Sequence, residues 1–184
     1  MRCFLGLRTF LVLLALGASG SVSIAYSQED RGYQSFRDRH HCEILQRLAR
    51  LQVHKAKRNR FIIVGKTFVE DHFAQCLFES SGKRVLCEAS SGFFIRRRLG
   101  GSGYRPSGAT VAAIARLGFS TDDSEGNFQR VMDAETPTQL SAVADLLLAT
   151  LYEAYGAREG TALTIKAPLA PLKRSERASC VPLS

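Results

Sequence analysis

The chain carries no C-x-x-C and no H-x-x-x-H spacing, no G-x-S-x-G and no H-E-x-x-H. A compact zinc site, a nucleophile elbow and a zincin helix each lack their minimal residue set. His40 and His41 are neighbours and point in different directions on a helix, so they do not form a ligand pair. The glycine-rich "GGSG" at Gly100 to Gly103 has no strand before it and no helix immediately after it, so it is no phosphate cradle. From these absences no catalytic residue, metal ligand or cofactor-binding residue is assigned, and no cofactor is expected.

Acidic residues are absent from the first 27 positions, where Arg2 and Arg8 precede the apolar run "TFLVLLALG" and the small residues of "ASGSVSIAYS" follow. That layout is expected of a secretory signal peptide over 1–27, with cleavage after Gly20, Ala25 or Ser27. The run is shorter than the ~20 residues of a spanning helix, Cys3 precedes it rather than following it, and no second stretch of spanning length occurs. The chain is therefore expected to be exported, periplasmic or secreted, with no membrane span after cleavage. The whole sequence has 25 basic and 17 acidic residues, a net charge of +8, and loss of the leader would lower this by two. Such a surface suits solubility first and anionic envelope polymers second.

With 184 residues, 45% of them hydrophobic, one sizeable core is expected. The segment "SFRDRHHCEILQRLARLQ" places Phe36, Ile44, Leu45, Leu48 and Leu51 at helical spacing, with Ser35 and Asp38 resembling a capping box. "RFIIVG" reads as a buried strand, "KTFVED" as a turn, "SGATVAAIARLG" as a short helix with Val111, Ile114, Ala115 and Leu117 inward, and "NFQRVMD" as a strand. In "TPTQLSAVADLLLATLYEAYG", Thr136, Pro137 and Gln139 form a capping box, Gly156 ends the helix, and a wide apolar stripe runs from Leu140 to Tyr155. "TALTIKA" is a last strand. The reading is one α+β domain over 28–168: helix, three-stranded antiparallel meander, short helix, strand, long helix, strand, with helices packed on an antiparallel sheet. A mobile tail is expected over 169–184.

The stretch "QCLFESSGKRVLCE" sets a hairpin register. A two-residue loop at Ser81 and Gly82 places Glu79 opposite Arg84, Phe78 opposite Val85, Leu77 opposite Leu86, Cys76 opposite Cys87 and Ala74 opposite Ala89. A slip of one residue sets Phe78 against Arg84 and turns core residues outward. Ala74, Cys76, Phe78, Val85, Cys87 and Ala89 are then the core face, and Glu79, Arg84 and Glu88 the wetter one. Cys76 and Cys87 are a candidate disulfide, at what this loop length makes a hydrogen-bonded pair, with two buried free thiols as the alternative. Cys42 and Cys180 are a second candidate bridge, tying the tail to the first helix.

From Ile95 to Gly108 the composition is Gly and Arg without periodicity, which predicts a flexible loop. Arg96, Arg97 and Arg98 make it a candidate basic interaction loop for an acidic partner. Phe93, Phe94 and Tyr104 would complete a stacking surface for nucleic acid, a partner that an exported chain is not expected to meet.

The element order, with "RFIIVG", "FAQCLFE" running into "RVLCEASSGFF", "IARLGFS" with "GNFQRV", and "VADLLLATLYEAYG", resembles the type III secretion chaperone and YbjN-like group, peptide-binding chaperone-like domains of the TY-Chap type. The resemblance covers about residues 36–167. It implies a non-enzymatic protein that holds a peptide or protein partner on a sheet edge or helix face, or that forms a homodimer. It transfers no catalytic or binding residue, and two features depart from it: the leader, and a strand after the long helix. A thiol-dependent or hydrolytic envelope enzyme and a basic polymer-binding protein are the alternatives.

Overall fold

Five strands form a single antiparallel sheet in the order β4-β3-β2-β1-β5, from β1 (Phe61–Lys66), β2 (Phe73–Phe78), β3 (Arg84–Ala89), β4 (Phe128–Asp133) and β5 (Leu163–Lys166). The expected meander is its centre, and the two later strands are added at its two edges. The computed structural model describes residues 21–180, with side chains from residue 31 onward. The expected leader therefore lies mostly outside the described residues.

Period-two alternation gives the sheet one buried face. Ile62, Val64, Ala74, Cys76, Phe78, Val85, Cys87, Ala89 and Phe128 are all buried, as a half-buried pleated surface demands. This face is covered by α1 (Ser21–Val53) and α4 (Pro137–Ala149), whose inward Phe36, Ile44, Leu48, Leu51, Leu140, Val143, Leu147 and Leu148 join the sheet in one hydrophobic cluster. Helix α1 begins well before the expected start at Phe36. Ser35 lies inside it rather than capping it, and Tyr33 packs edge-on against Tyr152, with ring centroids 5.2 Å apart. Helix α3 (Gly108–Arg116) is capped by Ser107, whose side chain accepts from the amide of Thr110. Its inward residues are Ala113 and Ile114, whereas Ala115 faces solvent.

The capping box of α4 is present: Thr136 accepts from the amide of Gln139, whose side chain accepts in return from the Thr136 amide at 3.0 Å. After Ala149 the helix continues as one wide turn over Thr150–Ala154, with the Tyr155 amide reaching back to the Thr150 carbonyl. This i→i+5 bonding lets Tyr152 pack against α1 while Tyr155 turns to the sheet, where its hydroxyl donates to the Ser90 carbonyl at 2.7 Å.

The hairpin has the expected register, Cys76 opposite Cys87, on a different hydrogen-bond phase. The Glu79 amide bonds to the Arg84 carbonyl at 3.0 Å and the Gly82 amide to the Glu79 carbonyl at 2.9 Å, so the loop is Ser80 to Lys83, four residues rather than two. Because paired positions alternate along the ladder, Cys76 and Cys87 fall on a non-hydrogen-bonded pair. Their Cα atoms are 4.0 Å apart and the sulfurs are joined. A second bridge joins Cys42 on α1 to Cys180. The stretch expected to be a mobile tail holds a short helix, α5 (Arg174–Ala178), fixed by this bridge, by the Arg50–Glu176 ion pair and by Arg47 donating to the Ala170 carbonyl at 3.1 Å. Two intramolecular disulfides suit an oxidising compartment, and among the described residues no helix is long and apolar enough to cross a membrane.

Candidate interaction surface

Both long helices lie on one side of the sheet, so the opposite face carries the remaining alternate residues of every strand. The pairing registers arrange them in rows running across the strands. One row is Phe61, Leu77, Leu86 and Val131, an apolar stripe in which Leu77 is 44% and Val131 53% exposed. Beside it runs a row with Gln75, Glu88 and Gln129, in which both glutamines donate to the Glu88 carboxylate, Gln75 at 2.5 Å and Gln129 at 3.4 Å. On the other side Glu79, Arg84 and Asp133 form a charged row, with Arg84 paired to Glu79 at 2.9 Å.

At the corner where β1, β2 and β5 meet, Ile63, Phe73, Phe68, Val69, Lys66 and Lys166 line an open cleft of about 500 Å³. The turn from Thr67 to His72 forms one wall and is held by main-chain bonds, Lys66 amide to His72 carbonyl at 3.0 Å and Thr67 amide to Ala162 carbonyl at 3.0 Å. Within it Phe68 is fully solvent-exposed and adopts φ +65°. A left-handed backbone is uncommon for a bulky residue and costs free energy. The main-chain bonds of the turn hold this conformation, and the ring itself is packed against no core residue among the described residues.

Behind the cleft His72 stacks on Tyr155 with centroids 5.3 Å apart and meets Tyr104 edge-on at 5.2 Å. Burial, reinforced by Lys66, lowers the pKa of His72, and burial raises that of Asp71 beside it. One oxygen of Asp71 and Nδ1 of His72 are buried without a hydrogen-bond partner. Burial also pushes Tyr155 up, so its phenol stays protonated as the donor to Ser90. Lys66 donates to the Tyr155 carbonyl at 3.0 Å, which fixes the cleft to the wide turn after α4.

The three arginines expected in one flexible basic loop lie instead in a short helix, α2 (Phe93–Arg98), and differ in their surroundings. Arg96 is turned inward. It donates to the carbonyls of Ser91 at 2.6 Å and Tyr104 at 3.1 Å and pairs with Asp123 at 2.7 Å, which ties the glycine-rich segment down. Arg97 is exposed, and Arg98 lies 4.0 Å from Glu70 on the cleft wall. Tyr104, the third stacking candidate, is committed to His72. The four cysteines of the described residues are all in bridges, so neither Cys76 nor Cys87 offers a thiol to His72.

Sequence reading identified the wetter hairpin face and missed the cleft, since Phe68 and Val69 sit in what reads as an ordinary turn. The signal that was present is the pair of large apolar residues in "KTFVED", where polar turn formers are usual. Comparison of the chain with protein-family models, with curated proteins and with solved structures finds no match.

Proposed function

We propose that this is an exported, non-enzymatic interaction protein that holds an extended segment of a partner protein in the cleft beside Phe68. The observation that carries the reading is the fully exposed Phe68, held at an unfavourable backbone conformation by an otherwise well-bonded turn. A large ring presented this way gains by burial against a partner. The chemistry of the cleft defines the segment. Ile63, Phe73 and Val69 suit an apolar side chain, while Lys66 and Lys166, against the single acid Glu70, suit a carboxylate.

The test is an array of extended peptides read against the purified chain with both bridges intact. Peptides combining an apolar and an acidic residue are expected to bind, and Phe68→Ser or Lys166→Glu to weaken them by about tenfold, the loss of one buried anchor or one charge pair. Binding that ignores both substitutions, or no binding at all, overturns the reading. The thiol-enzyme alternative would need a reduced cysteine, and the four cysteines of the described residues, Cys42, Cys76, Cys87 and Cys180, are bridged.

A further inference from the structure

The apolar stripe runs alongside the cleft, which shares Gln75 with the row beside the stripe, and the residues on either side of it follow a pattern. Along β3 the outward residues are Arg84, Leu86 and Glu88; along β2 and the residue that follows it they are Gln75, Leu77 and Glu79; along β4 they are Gln129, Val131 and Asp133. Each of three adjacent strands presents an apolar centre with a hydrogen-bond donor two residues to one side and a carboxylate two residues to the other. The donor and the acid exchange sides between β3 and its neighbours, since antiparallel pairing places Glu88 in the row of the two glutamines and Arg84 in the row of Glu79 and Asp133.

We infer that this face recognises a second copy of the chain, packed sheet to sheet about a two-fold axis lying along the stripe. Such an axis sets each stripe residue against its own copy and exchanges the two flanking rows. Arg84 then faces Glu88 of the second copy, Gln75 faces its Glu79, and Gln129 faces its Asp133, and the symmetry makes each pair twice. Stacked sheets are ~10 Å apart, a gap these long side chains bridge. The intrachain bonds of Glu88 and Glu79 need not be lost, since a carboxylate accepts at about four sites.

Three other axes fail on the same residues. An axis one row over, through Glu88, sets Glu88 against itself. An axis through Arg84 sets Arg84, Glu79 and Asp133 each against its own copy. An axis running along β3 also opposes Arg84 to Arg84 and brings Glu79 against Asp133. Like charges facing each other disfavour association, which excludes these three. An axis midway between β2 and β3 would instead set Arg84 against Glu79 and Glu88 against Gln75 of the second copy, and the double charge reversal below separates it from the axis along the stripe. An isologous contact of this kind closes at two subunits.

Sedimentation of the purified full chain, with both bridges intact, reads the outcome. At tens of micromolar the chain is expected to be a dimer, and Val131→Asp, at an exposed edge-strand position, a monomer. Arg84→Glu and Glu88→Arg should each raise the dimer dissociation constant by about tenfold or more, through like charges brought together. The double reversal Arg84→Glu with Glu88→Arg should return it close to the original value, because the two positions face each other only across this axis. Circular dichroism and thermal midpoints establish that each variant is folded. A monomeric parent chain overturns the inference, as does a dimer indifferent to Val131→Asp or a double reversal no better than either single change. Peptide binding in the cleft is scored separately, through Phe68 and Lys166.

Discussion

The surroundings of His72 and His40 disfavour their charged forms. Burial is the largest influence lowering each pKa, with Lys66 adding to it at His72 and Arg39 at His40. In the unfolded chain both return to the ordinary value of about 6.5. As pH falls through that value the unfolded state takes up protons that the folded state refuses, so stability is lost as the solution is acidified. Asp71, raised by burial, works in the opposite sense and from the carboxylate range. The thermal midpoint is therefore expected to drop between about pH 7.5 and 5.5, the window set by the histidine value. His72→Gln and His40→Gln should each flatten the slope even where they lower the midpoint itself. A slope unchanged in the double variant would place the titration elsewhere. Backbone space is a second constraint at this scale. Gly92 has φ +73°, and an added Cβ would meet the Tyr104 carbonyl oxygen at 2.1 Å. Gly92→Ala should destabilise the chain by about 1–3 kcal/mol, the cost of a strained backbone position, as read by chemical denaturation.

Among the elements, α4 is the one most fully specified by local sequence. Thr136→Ala removes the acceptor for the Gln139 amide and is expected to cost about 1 kcal/mol in denaturation experiments. The same local logic made the hairpin legible. Its cross-strand partners are matched at every step from Glu79 and Arg84 to Ala74 and Ala89, so only one register keeps the core residues on one face. What that logic did not reach was the hydrogen-bond phase, since a four-residue loop closed at Glu79 gives the same opposed residues with the ladder shifted by one step. The start of α1 was also illegible, because residues 21–27 read as the end of a leader and residues 28–35 are mostly polar, so the core-facing pattern reads as beginning at Phe36. Arg96 shows the limit from the other side. Three consecutive arginines read as a solvated run, and only the fold brings Ser91, Tyr104 and Asp123 around the first of them. The rows on the outer sheet face depend on the strand order, with β4 beside β3 and β5 beside β1, which is a property of non-local pairing and absent from any single segment.

For the molecule as a whole, the two bridges differ in reach. Cys76 and Cys87 are 11 positions apart, whereas Cys42 and Cys180 are 138 apart and enclose every strand. Loop closure alone assigns about 3 kcal/mol to the first and about 5 kcal/mol to the second. Cys42→Ser with Cys180→Ser should therefore lower the denaturation midpoint more than Cys76→Ser with Cys87→Ser, unless residues 169–180 simply detach. Proteolysis separates the two cases, since detachment frees the backbone around the already exposed Lys173, Arg174 and Arg177 for trypsin before the sheet is cut. The long bridge also fixes how the chain answers a pull on its ends. Tension applied at the two termini enters at Cys42 and leaves at Cys180 through the sulfur–sulfur bond, so the sheet lies in a covalent bypass that carries no load. Of the 138 steps behind that bond 11 stay closed by Cys76–Cys87, so about 430 Å of contour, 127 steps at ~3.4 Å each, becomes extensible only when the long bridge is reduced.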